Sequence, residues 1–268
     1  MTTNPSWDPA QYLRHAGHRA RPFADLLARV PALPGDPPRI ADLGCGPGNV
    51  TAGLADRWPT ARVTGYDNSP QMLADAAAHA GARLDFAYAD LTTWTLAETA
   101  QTYDLIVSNA ALQWVPGHLD AFPAWLDGLA PGGVLAFQVP HNIDAPLHAL
   151  MRELGNTPRW KDRLGEVLRR QDSVHAPAVY LDRLARLGCA PDVWTTTYLH
   201  VLPGEDPVLD WVKGTGLRPV LDALADDPEA RDAFVTAYRD LLREAYPSTE
   251  YGTVLPFRRL FAVARKEA

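Results

Sequence analysis

Between Asp42 and Thr51 the chain reads Asp-Leu-Gly-Cys-Gly-Pro-Gly-Asn-Val-Thr, a carboxylate followed at short range by Gly44, Gly46 and Gly48. Glycines let a backbone bend sharply and approach a ligand with no Cβ in the way, and a helix opening at Asn49 offers unpaired N–H groups. The loop suits a nucleotide-like cofactor; the same glycines also serve an ordinary tight turn between a strand and a helix. Two further acids narrow the reading. Asp67 stands 19 residues beyond Gly48, where a carboxylate can accept both ribose hydroxyls of a nucleoside. Asp90 follows the next strand. Dinucleotide loops read G-x-G-x-x-G and seat a pyrophosphate on the helix N-terminus. Here the spacing is G-x-G-x-G, and Asp42 would repel a pyrophosphate. The same carboxylate suits a zwitterionic amino acid and a sulfonium, so the loop favours S-adenosylmethionine over NAD. Each aspartate by itself is equally at home as a turn or cap residue.

The elements that must position these groups alternate. Strands are predicted at 39–43, 61–66, 82–89, 103–108 and 134–139, with helices at 49–58, 70–80 and 118–129 between them; Ser69 is the N-cap and Pro70 the first residue of the second of these helices. This rhythm gives right-handed βαβ units and a parallel sheet. An N-terminal helix over 10–30 carries Phe23, Leu26, Leu27 and Val30 on one stripe. After Pro140 the rhythm changes: 143–188 reads as helices packed through Trp160, Leu164, Val167 and Leu168. Strands are expected at 193–202 and 257–264, with helices over 206–246 between them. The fold expected is α/β, a doubly wound, mostly parallel seven-stranded sheet. Its single domain, 1–268, divides into an N-terminal helical lid at 1–38, a cofactor-binding half at 39–140, and helical insertions at 141–190 and 203–253 that form a substrate cap.

The net charge of -7 argues against a nucleic-acid partner, because a basic face is needed to neutralise phosphates. No window approaches the roughly 18 to 20 apolar residues of a membrane span, so a cytoplasmic protein is expected. An anionic substrate would have to be held by a few local cations. Cys45 and Cys189 lack the spacing of a zinc site or a disulfide framework and are expected as free thiols.

The segments DLGCGPGNVT, GYDNSPQM, YADL and SNAALQWV resemble the successive cofactor motifs of class I, Rossmann-like methyltransferases. Outside them WDPAQYL, RPFADLLARV, CAPDVWTTTYLHVL, DWVKGTGLRP, AYP and PFRRLFAVAR are similar to the trans-aconitate methyltransferase family over nearly the whole length. The resemblance implies a small carboxylic acid as acceptor and S-adenosylmethionine as cofactor. It also implies that Asp42, Gly44, Gly46 and Gly48 hold the methionine portion, Asp67 and Asn68 the ribose, and Asp90 with Leu91 the adenine. Asn109 and Ala110 would line the floor under the methyl group. Methyl transfer to a carboxylate is displacement at carbon by a group already ionised at neutral pH, so no general base and no metal are assigned. Arg218 and Arg259 are the candidates for gripping acceptor carboxylates, Arg259 being preferred over Arg258 on the opposite strand face. Tyr12 and Trp114 could wall the transfer channel. Another small-molecule methyltransferase of secondary metabolism, acting on oxygen or nitrogen, and a non-catalytic cofactor-binding regulator remain as alternatives. Oligomeric state is not legible.

Overall fold

The computed structural model describes residues 16–95, 102–169 and 173–267, with the backbone alone for residues 16–20. Tyr12 lies outside the described residues. Strands β1 (Arg39–Leu43), β2 (Arg62–Asp67), β3 (Leu84–Tyr88), β4 (Tyr103–Asn109) and β5 (Leu129–Pro140) run parallel, and the long β8 (Gly252–Lys266) lies antiparallel to β5. With β6 (Cys189–Leu202) at the edge, the strand order is β3-β2-β1-β4-β5-β8-β6. An eighth strand, β7 (Ser248–Thr249), forms a two-residue ladder with the start of β8 that the expectation of seven strands left out. The helices of the βα rhythm are α1 (Ala16–Leu27), α2 (Asn49–Arg57), α3 (Pro70–Ala76) and α4 (His118–Asp127). Ser69 caps α3, its hydroxyl accepting from the Met72 N–H at 3.4 Å, and Pro70 opens the helix.

Two compact units make up the chain. The sheet unit holds Ala20–His141, Ser173–Thr196 and the chain from Arg259 onward. Its core is apolar on successive parallel strands: Ile40, Leu105, Ile106, Val134, Leu135 and Phe137 are all fully buried, as strands covered on both faces require. Helix α7 (Pro177–Arg186) also belongs here, because Tyr180 and Leu184 on its inner stripe are buried in the same cluster as Phe122 and Phe137. Residues 173–190 therefore part from the expected insertion. The buried Phe23, Leu26 and Leu27 likewise place most of the expected lid helix in the sheet unit.

The second unit takes the described residues of Asn142–Asp172 and Thr197–Arg258. Helices α5 (Pro146–Gly155), α6 (Lys161–Leu164), α8 (Pro207–Lys213), α9 (Arg218–Ala223) and α10 (Pro228–Ala245) close around Trp160, Leu164, Leu168, Phe234 and Tyr238. The Tyr238 hydroxyl donates to the Leu147 carbonyl at 2.6 Å, and the Tyr246 hydroxyl accepts the Leu147 N–H at 3.1 Å, tying α10 to α5. Val167, expected on the packing stripe, is exposed; Leu168 takes the buried position one helical step on from Leu164. β6 begins at Cys189, ahead of the expected start, because a proline such as Pro191 is tolerated on an edge strand.

Candidate functional site

The strand order reverses between β1 and β4, with β2 and β3 on one side and β5 on the other. Ligands of open α/β sheets sit at such a point, outside the carboxyl ends of the strands. The loop from Asp42 to Gly48 leaves β1 at this position and enters α2. Gly44 has a left-handed φ of 78°, and a Cβ built on it would lie 2.2 Å from the Ala111 Cβ, so the β1 and β4 loops touch through the missing side chain. Gly46, at φ 55°, is different: among the described residues a Cβ there would meet no atom within 4 Å. Its open side is where a ligand can approach the backbone. The first turn of α2 has neither a side-chain cap nor an acidic residue, which leaves its N–H groups for an anionic ligand group such as a carboxylate.

Three carboxylates stand at or just beyond the carboxyl ends of β1, β2 and β3. Asp42 is 2% exposed; its Oδ2 accepts the Thr51 hydroxyl at 2.7 Å, while Oδ1 is buried with no partner among the described residues. Burial raises its pKa to about 7, the Thr51 hydrogen bond opposes this, and the charge of Asp67 adds to it. Asp67 carries more than a ribose role. Its Oδ2 accepts the Gly46 N–H at 2.9 Å and its Oδ1 the Ser69 N–H at 2.9 Å, so it pins the glycine loop to the start of α3. Each oxygen keeps a second lone pair for a hydroxyl donor. Asp90 turns its own loop, Oδ1 accepting from the Thr92 N–H at 2.9 Å and the Thr92 hydroxyl at 2.7 Å. Leu91 beside it is buried, and Asn68 is exposed.

The end of β4 forms the other wall. The Ser108 hydroxyl donates to the Leu43 carbonyl at 2.7 Å, fixing β4 against the mouth of the β1 loop. Asn109 is half-buried, and Ala110 has φ 56°, the one positive-φ non-glycine residue among the described residues. Backbone held in this region costs about 1 kcal/mol or more and clusters at ligand sites. Gln138, fully buried on β5, accepts from Arg259 Nη1 at 2.9 Å and donates through Nε2 to Asn109 Oδ1 at 2.5 Å. Arg259 itself is buried on β8 while Arg258 is exposed, the alternation of a strand. Trp114 is 56% exposed beyond Ala110. Arg218 opens α9 in the second unit and is half-buried there. The sequence alone assigned no role to Thr51, Ser108 or Gln138. Gln138 had one signal, a lone amide inside the apolar run from Val134 to Val139.

These features fit a ligand that brings a cation, a carboxylate and a nucleoside. The orphaned Asp42 Oδ1 suits the cation, the uncapped α2 N-terminus the carboxylate, and Gly46 leaves the backbone accessible. A cation beside Asp42 favours its ionised form, so binding at pH 6 should release close to one proton. Affinity for such a ligand should rise up to about tenfold per pH unit between about pH 5 and 7 and level off above. In the ligand-free protein the raised pKa means the folded state keeps a proton that the unfolded chain has lost. This group's contribution to stability therefore falls as pH rises from about 4 to 7. Calorimetry in buffers of different ionisation heat reads the proton, and an affinity flat from pH 5.5 to 8 would remove Asp42 from the site.

Residues 40–133 match a family described as a methyltransferase domain. A trans-aconitate 2-methyltransferase of Streptomyces avermitilis is 72% identical over 270 residues, covering 98% of this chain and 98% of the relative. One from Rhodococcus jostii is 48% identical over 261 residues, covering 97% and 99%. Among solved structures, an S-adenosylmethionine-dependent methyltransferase from Mesorhizobium loti superposes with a TM-score of 0.50 at 22% identity, covering 91% of this chain and 97% of that one. Haemonchus contortus phosphoethanolamine N-methyltransferase 2, in complex with S-adenosyl-L-methionine, gives 0.52 at 18% identity, covering 92% and 53%. At those identities the structural likeness establishes the fold.

Proposed function

Because the chain belongs to the trans-aconitate methyltransferase family, we propose that it esterifies one carboxylate of trans-aconitate, with S-adenosylmethionine as methyl donor. The observation that carries this reading beyond the family is the buried Arg259 guanidinium at the carboxyl ends of the parallel strands, held by a neutral amide. A cation so placed compensates the repulsion that a protein of net charge -7 exerts on a polyacid, and a guanidinium fork matches a carboxylate bidentately. Arg218 is the further cation that the family resemblance offers, and Trp114 and Tyr12 are the aromatic residues it offers.

Bound in the loop, S-adenosylmethionine supplies a methyl group activated on a sulfonium. Asp42 faces the cationic portion, Asp67 holds the loop and retains lone pairs for the ribose, and Asp90 with Leu91 flanks the base. Asn109 and Ala110 line the side from which the acceptor oxygen arrives. That oxygen is ionised at neutral pH, so these residues align rather than activate it, and alignment alone can supply several kcal/mol.

Two results follow from this chemistry. Turnover on trans-aconitate should persist in excess chelator, and at saturating cofactor kcat should be flat between pH 6 and 8, since no side chain takes a proton. The Asp42 dependence should appear only in the cofactor's KM. A chelator-sensitive rate, or a kcat limb with a pKa inside that window, would count against a carboxylate acceptor.

A further inference from the structure

Arg259, Gln138 and Asn109 form a hydrogen-bonded chain whose polarity is forced. A guanidinium only donates, so the Gln138 atom 2.9 Å from Arg259 Nη1 must be the carbonyl oxygen. The Gln138 amide nitrogen then faces the other way, and its contact on Asn109 at 2.5 Å must be Oδ1. Asn109 is left with its Nδ2 turned away from Gln138, with no partner among the described residues. The backbone next to it is fixed as well, the Ala110 N–H donating to the Gln138 carbonyl at 2.9 Å. One buried glutamine thus sets both the side chain of Asn109 and the bend that follows it.

Resting on the carboxylate-methyltransferase reading, we propose that this chain selects which carboxylate of the polyacid is methylated. Arg259 holds a spectator carboxylate, Asn109 Nδ2 donates to the reacting one, and Gln138 is the positioning residue that keeps the two at a fixed separation. The division of labour follows from the charge change. As the acceptor oxygen forms its bond to the methyl carbon, the carbon–sulfur bond breaks and its electron pair stays on sulfur. The carboxylate becomes a neutral ester, the sulfonium a neutral thioether, and no proton moves. A full cation on the reacting carboxylate would hold the starting charge more tightly than the transition state and slow the step. A neutral amide orients that carboxylate with less of this penalty. The spectator keeps its charge throughout, so a guanidinium grips it equally before and after.

The test compares Gln138→Met and Asn109→Ala with the wild type, reading the positional isomers of the monomethyl ester, KM and kcat on trans-aconitate, and cofactor affinity. The wild type should give one dominant ester. Both variants should give a mixture and lose about 10- to 100-fold in kcat/KM, with cofactor affinity within about threefold. The double variant should be little worse than either single one, the coupling expected of groups acting as a unit. A purely structural role for Gln138 would lower thermal stability without changing the isomer ratio, and that result overturns the proposal. If Gln138→Met fails to fold, Asn109→Ala alone decides, because it leaves the Arg259–Gln138 contact in place. A wild type that esterifies no polyacid sinks the functional reading and this inference together. An active wild type with unchanged regiochemistry in both variants sinks only the inference.

Discussion

Replacing Arg259 with alanine should lower kcat/KM on trans-aconitate by about 30- to 1000-fold, the cost of losing a bidentate charged contact. Arg259 is 5% exposed, so solvent screens its field poorly. The loss should be larger for di- and tricarboxylates than for monoacids if the guanidinium holds a second carboxylate, as proposed. Cofactor affinity should stay within about threefold, since the Arg259 guanidinium donates to Gln138 on β5 rather than to the glycine loop. Lysine should restore only part of the activity, being a point charge without the planar fork. Arg258→Ala is the internal control: that side chain is exposed on the other face of β8. Steady-state kinetics on trans-aconitate and on a monocarboxylate, with a cofactor titration for each variant, separates these outcomes. Should Arg258→Ala abolish turnover while Arg259→Ala leaves it intact, the assigned strand face is wrong.

Gly44→Ala and Gly46→Ala should divide stability from binding. At Gly44 a new methyl would sit 2.2 Å from the Ala111 Cβ, on a residue with φ 78°. Overpacking and left-handed strain together should cost roughly 2 to 5 kcal/mol, a fall in melting temperature of at least several degrees for a chain of this size. At Gly46 the methyl meets no atom of the described residues within 4 Å, so backbone strain should cost the folded state only about 1 to 2 kcal/mol. In the proposed site that methyl would instead enter the space through which the cofactor reaches the loop. Affinity for S-adenosylmethionine should drop by about 10- to 100-fold. Thermal melts and calorimetric titrations of the pair decide it. Gly46→Ala binding the cofactor as the wild type does would mean that the open side of the loop is not the cofactor's side.

What the sequence disclosed was mostly local. The β1 loop could be read because glycine conformation and helix-start chemistry act over a few residues, and Ser69 with Pro70 marked the start of α3 for the same reason. The βα alternation gave the parallel strands, because buried strands are continuous apolar runs. Tertiary partners were harder to see. Asp67 read as a ribose ligand, and nothing near it in sequence disclosed that its carboxylate also holds the Gly46 N–H. Nothing near Thr51 in sequence disclosed that the fold sets its hydroxyl on Asp42. Residues 143–188 read as helices, yet which core Tyr180 and Leu184 fill depends on packing against Phe122 and Phe137 far along the chain. Gln138 and Arg259 stand 121 residues apart. Periodicity put both in strands, but only the β5–β8 register joins them.

The most direct measurement of the central claim follows the methyl group itself. The protein would be incubated with trans-aconitate and S-adenosylmethionine labelled in the transferable methyl, and the product separated, identified and treated with mild base. The expected result is one labelled methyl per molecule of S-adenosylhomocysteine formed, carried on a monomethyl ester from which base releases labelled methanol. Label held in a base-stable ether or amine, or tight cofactor binding with no transfer to trans-aconitate, would contradict it.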